Sequence, residues 1–498
     1  MTGADASASH RALLDRLNEV APELVADARR QSAVGDVALL AREVLTAVRD
    51  GGELAGYWLA YVAFAAAFPT EPQLDGFRRA IHLASESDLV TDALASIEIA
   101  HRTHRRSTRT IRILRDEILV DVGFSATHVH NTGIQRVVRS VLPRWSAAGH
   151  PFTLLAWTAD DAGYREPNGV EQARVLSWGA DGGAHTADSP DDALLVPWRS
   201  RIFLPEVPQY EQCRLLACVA ASGAADIDLI GYDVIPITSA DTVMAAESER
   251  FAIYLDVVKR SRAVHAISDT VRDEFAGFVG ALSAQGLPGP VVNGVSLAVD
   301  VPAAARAVAA ASVGTAELPT MVCLGSHEPR KNQEAVLFAA ERLHREGRRF
   351  RLVFVGGGSR RAYAGFDRRL ALLRSRGMNV ESARRMGDDE LWALIGSSRF
   401  SVFVSLHEGF GLPVAESLAL GIPVLTSSHG SMHEIAGHGG CVEVDPRDDE
   451  AILDGMRALL TDDALHERLA SEAAAIAPRT WDDYARLLWD GVSEGRRR

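Results

Sequence analysis

Two stretches of this chain alternate short apolar runs with amphipathic segments, and that alternation constrains the fold more than any other feature. In the first, apolar runs at Ile118 to Gly123, Phe152 to Trp157, Ile202 to Pro205, Ile227 to Ile230 and Ala263 to Ile267 flank helical periodicity at Gly133 to Leu142, Glu211 to Ala221, Ala245 to Arg260 and Asp269 to Leu282. The second runs through Met321 to Gly325, Arg351 to Val355, Phe400 to Ser405 and Pro423 to Thr426. Strands that alternate with helices in this way pair in parallel and are covered on both faces. At 498 residues the chain exceeds what one hydrophobic core supports. The expected fold is therefore α/β, two facing doubly wound, Rossmann-like domains behind an N-terminal helical region.

The domain boundaries follow from where the pattern changes. Residues 1–110 carry leucine and alanine at helical spacing, as in Leu13, Leu17, Val20 and Leu24, and read as helical. The apolar run Gly56 to Pro69 is shorter than the roughly 20 residues of a spanning helix and reads as a buried helix. Residues 111–305 and 306–480 form the two sheet domains, with the alanine-rich segment 302–315 as linker. Residues 481–498 form a terminal helix expected to cross back to the N-terminal domain.

Composition excludes some functions. A net charge of −14 argues against sequence-independent nucleic-acid binding. The basic stretch from His101 to Arg115 reads as a solvated linker or helix face, with contact to anionic lipid or an anionic acceptor as the alternative. Met1 to Ser9 lacks the pattern of a secretory signal, and Cys213, Cys218, Cys323 and Cys441 show no Cys-x-x-Cys spacing. Reduced thiols and a cytoplasmic location, peripheral to the inner membrane face if the basic stretch binds lipid, are the expectation.

The chemistry-bearing residues gather at strand ends, where open parallel sheets bind ligands. Glu408 and Glu416 lie eight positions apart, one behind the strand ending at Ser405 and the other about one turn into the next helix. Gly409 and Gly411 permit close approach to the backbone, and Pro413 suits a first helical turn whose amides can bind an anion. Two carboxylates for hydroxyls and amides for phosphate suggest a nucleotide-sugar ligand. Arg330 and Lys331 follow the strand end at Gly325 and could converge on a diphosphate. Gly133 lies in a strand-to-helix turn, with Thr132 as N-cap or donor to a ligand. Asp233 stands at another strand end, and Tyr232 supplies a hydroxyl or packs. His407, His429 and His433 close no zinc site, and Asp226 and Asp228 begin a strand rather than end one, so no metal site is read. The segment Ser427 to Ser431 leads toward Glu434 and could close over a sugar phosphate.

From about residue 117 to 490 the chain resembles a GT-B retaining glycosyltransferase of family four (group 1), the mannosyltransferase-like group. The resemblance rests on Thr132-Gly-Ile-Gln-Arg-Val-Val-Arg139, Tyr232-Asp-Val-Ile-Pro236, Glu328-Pro-Arg-Lys-Asn332 and the Glu408 to Glu416 pair. It implies an acceptor domain at 111–305 and a nucleotide-sugar donor domain at 306–480. It implies that Glu416 binds the ribose, that Glu408 and the amides of Gly409, Phe410 and Gly411 position the donor sugar, and that Arg330 and Lys331 meet the diphosphate. Glu408, Arg330, Lys331 and Asp233 are the implied catalytic set, with Gly133, Thr132 and Tyr232 among the substrate contacts. Many relatives have His-Asp where Tyr232-Asp233 stands, and an arginine where Ser326 stands, so Arg330 is left to take over the latter role.

The implied reaction is metal-independent hexosyl transfer with retention and no cofactor beyond the nucleotide-sugar cosubstrate. GDP-mannose is the favoured donor, and the acceptor is a hydroxyl of a glycan, a lipid-linked glycan or a small molecule, as in polysaccharide biosynthesis. Two other readings stay open at this stage: a non-catalytic nucleotide-sugar-binding or scaffold protein, and a nucleotide-sugar epimerase.

Overall fold

The computed structural model describes residues 3–33, 35–100, 108–129, 131–179, 193–312, 318–358 and 360–495. Two sheets organise it. The N-terminal sheet comprises β1 (Ile111–Arg115), β2 (Ile118–Asp121), β3 (Thr153–Trp157), β4 (Tyr164–Arg165), β5 (Leu194–Trp198), β6 (Ser200–Leu204), β7 (Ala225–Gly231), β8 (Ala263–Ala266) and β9 (Val291–Gly294). Its nine strands run in the order β1-β5-β4-β3-β2-β6-β7-β8-β9. Only β4 is antiparallel to its neighbours. The C-terminal sheet comprises β10 (Thr320–Leu324), β11 (Arg351–Val355), β12 (Val380–Ala383), β13 (Phe400–Phe403), β14 (Val424–Ser427) and β15 (Cys441–Val444). It is wholly parallel, in the order β12-β11-β10-β13-β14-β15.

That second order reverses between β10 and β13. Connections leaving the two strands run to opposite sides and leave a crevice at their carboxyl ends, the switch point at which such sheets bind ligands. The fully buried burial patterns of β10 and β13 explain their continuous apolar sequence.

The N-terminal region folds into the helices Gly3–Leu24, Asp27–Ser32, Val37–Gly51, Leu54–Ala65, Glu71–Leu83 and Leu89–Ala100. Leu54–Ala65 is apolar on every side and is the buried centre of this bundle. The bundle shares one continuous core with the N-terminal sheet. Phe68 makes the join: its ring lies 5.8 Å from that of Tyr164 and 6.5 Å from that of Trp157, and its N–H donates to Ala162. The first helix also blunts the sheet edge, since Glu19 accepts the Ile113 N–H at 3.0 Å and Glu23 accepts from Arg115 and Trp198.

Three expectations need correction. Residues 111–115 are an edge strand paired with β5, because Ile111, Ile113 and Leu114 turn inward while the arginines face out; residues 101–107 of the basic stretch lie outside the described residues. The segment read as a linker contains the helix Ala303–Ser312, so the expected 305/306 boundary falls inside a helix. Its alanines allow close packing: a Cβ on Gly396 would lie 2.9 Å from the Ala309 backbone. Residues 313–315 lie outside the described residues. Finally, β4, β5, β9, β12 and β15 add to the expected strands.

After helix Asp463–Ala475 the chain returns to the N-terminal domain as helix Trp481–Ser493. Trp145 donates to Ala485 O at 2.8 Å, and the Trp145 and Trp489 rings meet edge-on at 5.0 Å. Among the described residues no helix is long and apolar enough to cross a membrane. Replacing Phe68 by alanine should remove the aromatic packing that joins bundle and sheet, with an expected destabilisation of about 3–5 kcal/mol in denaturant unfolding.

Candidate active site

The loops after β10 and β13 converge at the switch point. After β10, Gly325 adopts φ +125° and Pro329–Lys331 forms a short 3-10 turn, which delivers Arg330 and Lys331. After β13 the chain reaches Glu408. Lys331 Nζ lies 2.5 Å from Glu408 Oε1, and Arg330 Nη1 lies 3.0 Å from Oε2. Glu408 is therefore a buried carboxylate held between two cations. Burial alone would raise its carboxyl pKa, but Lys331 and Arg330 more than offset that and hold it below the usual range. Ser326 donates to Glu328, which also pairs with Arg330 at 3.0 Å.

Beyond Glu408, Gly411 takes φ +104° and opens helix Leu412–Ala419, which carries Glu416. Glu416 is 7% exposed and pairs at 3.0 Å with Arg136, from helix Gly133–Ala147 of the other domain. Burial raises the Glu416 carboxyl, Arg136 offsets this only in part, and Asp388 adds to the rise.

The two domains meet at Gly409. A Cβ there would lie 2.0 Å from the Tyr232 carbonyl oxygen, so only glycine allows this approach. Phe410 packs against the cores of both domains. Asp233 is close enough to Arg330 and Glu408 to feel both charges; burial raises its carboxyl, and one oxygen accepts the Ile235 N–H at 3.2 Å. Of the two readings open for Tyr232, the geometry favours packing. Its hydroxyl donates to Pro205 O at 2.7 Å inside the N-terminal domain, so its side chain packs and only its main-chain carbonyl faces the cleft.

Thr132 is engaged with Gln135 in a capping box at the start of helix Gly133–Ala147. A Cβ on Gly133 would meet no atom within 4 Å, so packing does not require glycine there. Glu434, toward which the segment Ser427 to Ser431 leads, accepts the Asp269 and Thr270 N–H groups at the start of helix Asp269–Ser283. Asp228 is buried and ion-paired with Arg262.

Sequence reasoning missed the contacts that cross between domains. His407 bonds Ser239 at 2.8 Å and Glu274 at 2.7 Å, and Ser268 donates to Gly409 O at 2.8 Å. No local signal marks them, because each needs a partner more than a hundred positions away. A cavity of about 410 Å³ also lies at the switch point of the N-terminal sheet, between β2 and β6, lined by Asp121, Phe124, Trp157, Glu206 and Gln212. Burial pushes the Glu206 carboxyl up to about 7. A larger cavity of about 840 Å³ lies behind Phe410, along Ala415 and Leu418, and includes none of Arg330, Lys331, Glu408 and Glu416.

Paired doubly wound sheets with a cationic and carboxylate cluster at the C-terminal switch point define a two-domain α/β architecture. Residues 311–475 match the family described as glycosyl transferases group 1. That match covers the C-terminal domain, and the paired sheets have the GT-B architecture. The chain is 25% identical over 419 residues to the serotype-specific mannosyltransferase WbdA of Escherichia coli, covering 73% of this chain and 47% of that protein. It is 34% identical over 166 residues to the O-antigen chain mannosyltransferase B of Escherichia coli, covering 32% of this chain and 42% of that one. The chain spans about half the length of the WbdA relatives it matches. In fold it is similar to Anabaena HepE in complex with UDP and glucose, at TM-score 0.54 and 12% identity over 76% of this chain and 100% of that one. It is also similar to the catalytic domain of starch synthase IV from Arabidopsis thaliana bound to ADP and acarbose, at TM-score 0.51 and 11% identity over 77% of this chain and 99% of that one.

Replacing Gly409 by alanine should force the domains apart at Tyr232. The expected result is a larger radius of gyration in small-angle scattering and a loss of turnover on the order of a hundredfold.

Proposed function

We propose that the chain transfers a hexosyl unit from a nucleotide sugar, GDP-mannose first among candidates, to an acceptor hydroxyl of a glycan, lipid-linked or small-molecule acceptor, with retention at the anomeric carbon. The observation that carries this reading is the Lys331–Glu408–Arg330 cluster beside Glu416 at the switch point of a group 1 domain. The mannosyltransferases among its relatives support the choice of donor.

In this reading Glu416 accepts hydroxyls of the ribose. Glu408 and the amides of Gly409, Phe410 and Gly411 orient the hexose, while Gly133 and Thr132 approach the diphosphate from the facing domain. The acceptor oxygen forms its bond to the anomeric carbon on the face from which the diphosphate departs. The carbon–phosphate oxygen bond breaks, and the acceptor proton passes to the leaving phosphate. Arg330 and Lys331 meet the charge that develops on that group, so the reaction is written without a metal ion or cofactor. Asp233 sits beside Arg330 and helps to orient the acceptor. The cavity between β2 and β6, with its carboxylate, amide and aromatic lining, suits a polyhydroxylated acceptor.

Thermal unfolding with a panel of nucleotide sugars, on the wild type and Glu416→Ala, tests the reading. A saturating donor at about 100 times its Kd should stabilise the wild type by about 2.7 kcal/mol and the variant by much less. Equal responses, or no response of the wild type to any donor, would remove the basis for it.

A further inference from the structure

We propose that Arg136 is a positioning residue for the nucleotide: reaching across the cleft, it binds one oxygen of Glu416 and leaves the other to accept ribose hydroxyls, so the ribose is fully gripped only when the domains are closed. The inference rests on the reading of Glu416 as the ribose anchor and adds to it a residue from the opposite domain.

The geometry is specific. Arg136 Nη2 donates to Glu416 Oε1 at 3.0 Å, across 280 positions of sequence. Glu416 Oε2 has no hydrogen-bond partner among the described residues, and neither has the rest of the Arg136 guanidinium. The root of Arg136 is held in place. Its helix is capped by Thr132 and Gln135, and Arg139 one turn on donates to the carbonyls of Ser125 and His128. At the far end, Trp145 is bonded to the terminal helix. Arg136 can therefore follow Glu416 only if the domains move together.

The charges around Glu416 show why that cation matters. Two charged groups face the buried carboxylate: Arg136 from the N-terminal domain, which attracts, and Asp388 at the start of helix Asp388–Gly396, which repels. Without Arg136, burial and Asp388 act in the same direction, and both favour the protonated carboxyl. A protonated carboxyl has one acceptor oxygen converted to a donor, which weakens its grip on vicinal hydroxyls. Closure thus delivers the charge that favours the hydroxyl-accepting form of Glu416.

The test is calorimetric titration of the full chain with GDP, or with UDP where that binds more tightly, from about pH 6 to about pH 8.5. Arg136→Gln should bind the nucleotide roughly tenfold more weakly at the high end. Its affinity should fall further as pH drops, while the wild type stays nearly flat and Arg136→Lys restores the flat profile. The 2′,3′-dideoxy nucleotide should bind wild type and Arg136→Gln alike. If Arg136→Gln keeps the wild-type pH profile while Glu416→Gln weakens binding, this inference is overturned and the ribose assignment stands. If Glu416→Gln has no effect on nucleotide affinity, the ribose assignment fails and takes the role of Arg136 with it.

Discussion

A carboxylate removed from water costs several kcal/mol unless cations and donors replace its hydration, and the position of Glu408 rests on that requirement. Lys331 and Arg330 meet it from the loop after β10, while Glu408 itself sits on the loop after β13. These strands are neighbours whose connections leave in opposite directions, so the charge cluster ties together the two walls of the crevice. Gly409 and Phe410 follow immediately. The main-chain approach to Tyr232 and the ring that spans both cores inherit their position from it.

The same loops build both the site and the contact between domains. Ser268 to Gly409, Glu434 to Asp269 and Thr270, and His407 to Ser239 and Glu274 all lie beside the residues that would hold a donor. In the proposed reading, ligand binding and domain contact act on one set of groups.

Much of this was legible in the sequence, for reasons that can be named. Central parallel strands are buried on both faces, so β2, β7, β10 and β13 announce themselves as apolar runs. Arg330, Lys331 and Glu408 were legible because each follows such a strand closely. Strands whose pattern is set by neighbours were not. β1 reads as a basic stretch because its arginines face out, β4 has only two residues, and β9 is largely exposed. Helix Ala303–Ser312 reads as a linker until Gly396 offers its alanines a close partner. The direction of the Tyr232 hydroxyl depends on the carbonyl of Pro205, and the partner of Glu416 depends on how two domains meet. Neither is a property of a local segment.

The polypeptide passes between the domains twice, once between β9 and helix Ala303–Ser312, and again between helices Asp463–Ala475 and Trp481–Ser493. These crossings touch: the Val299 N–H donates to Arg479 O at 3.2 Å. A lone connector would leave twist and slide as free as opening. Two laid side by side form a strap, stiff in torsion and easily flexed across its width. The halves of the molecule are thereby joined along one seam, as the covers of a book share a spine.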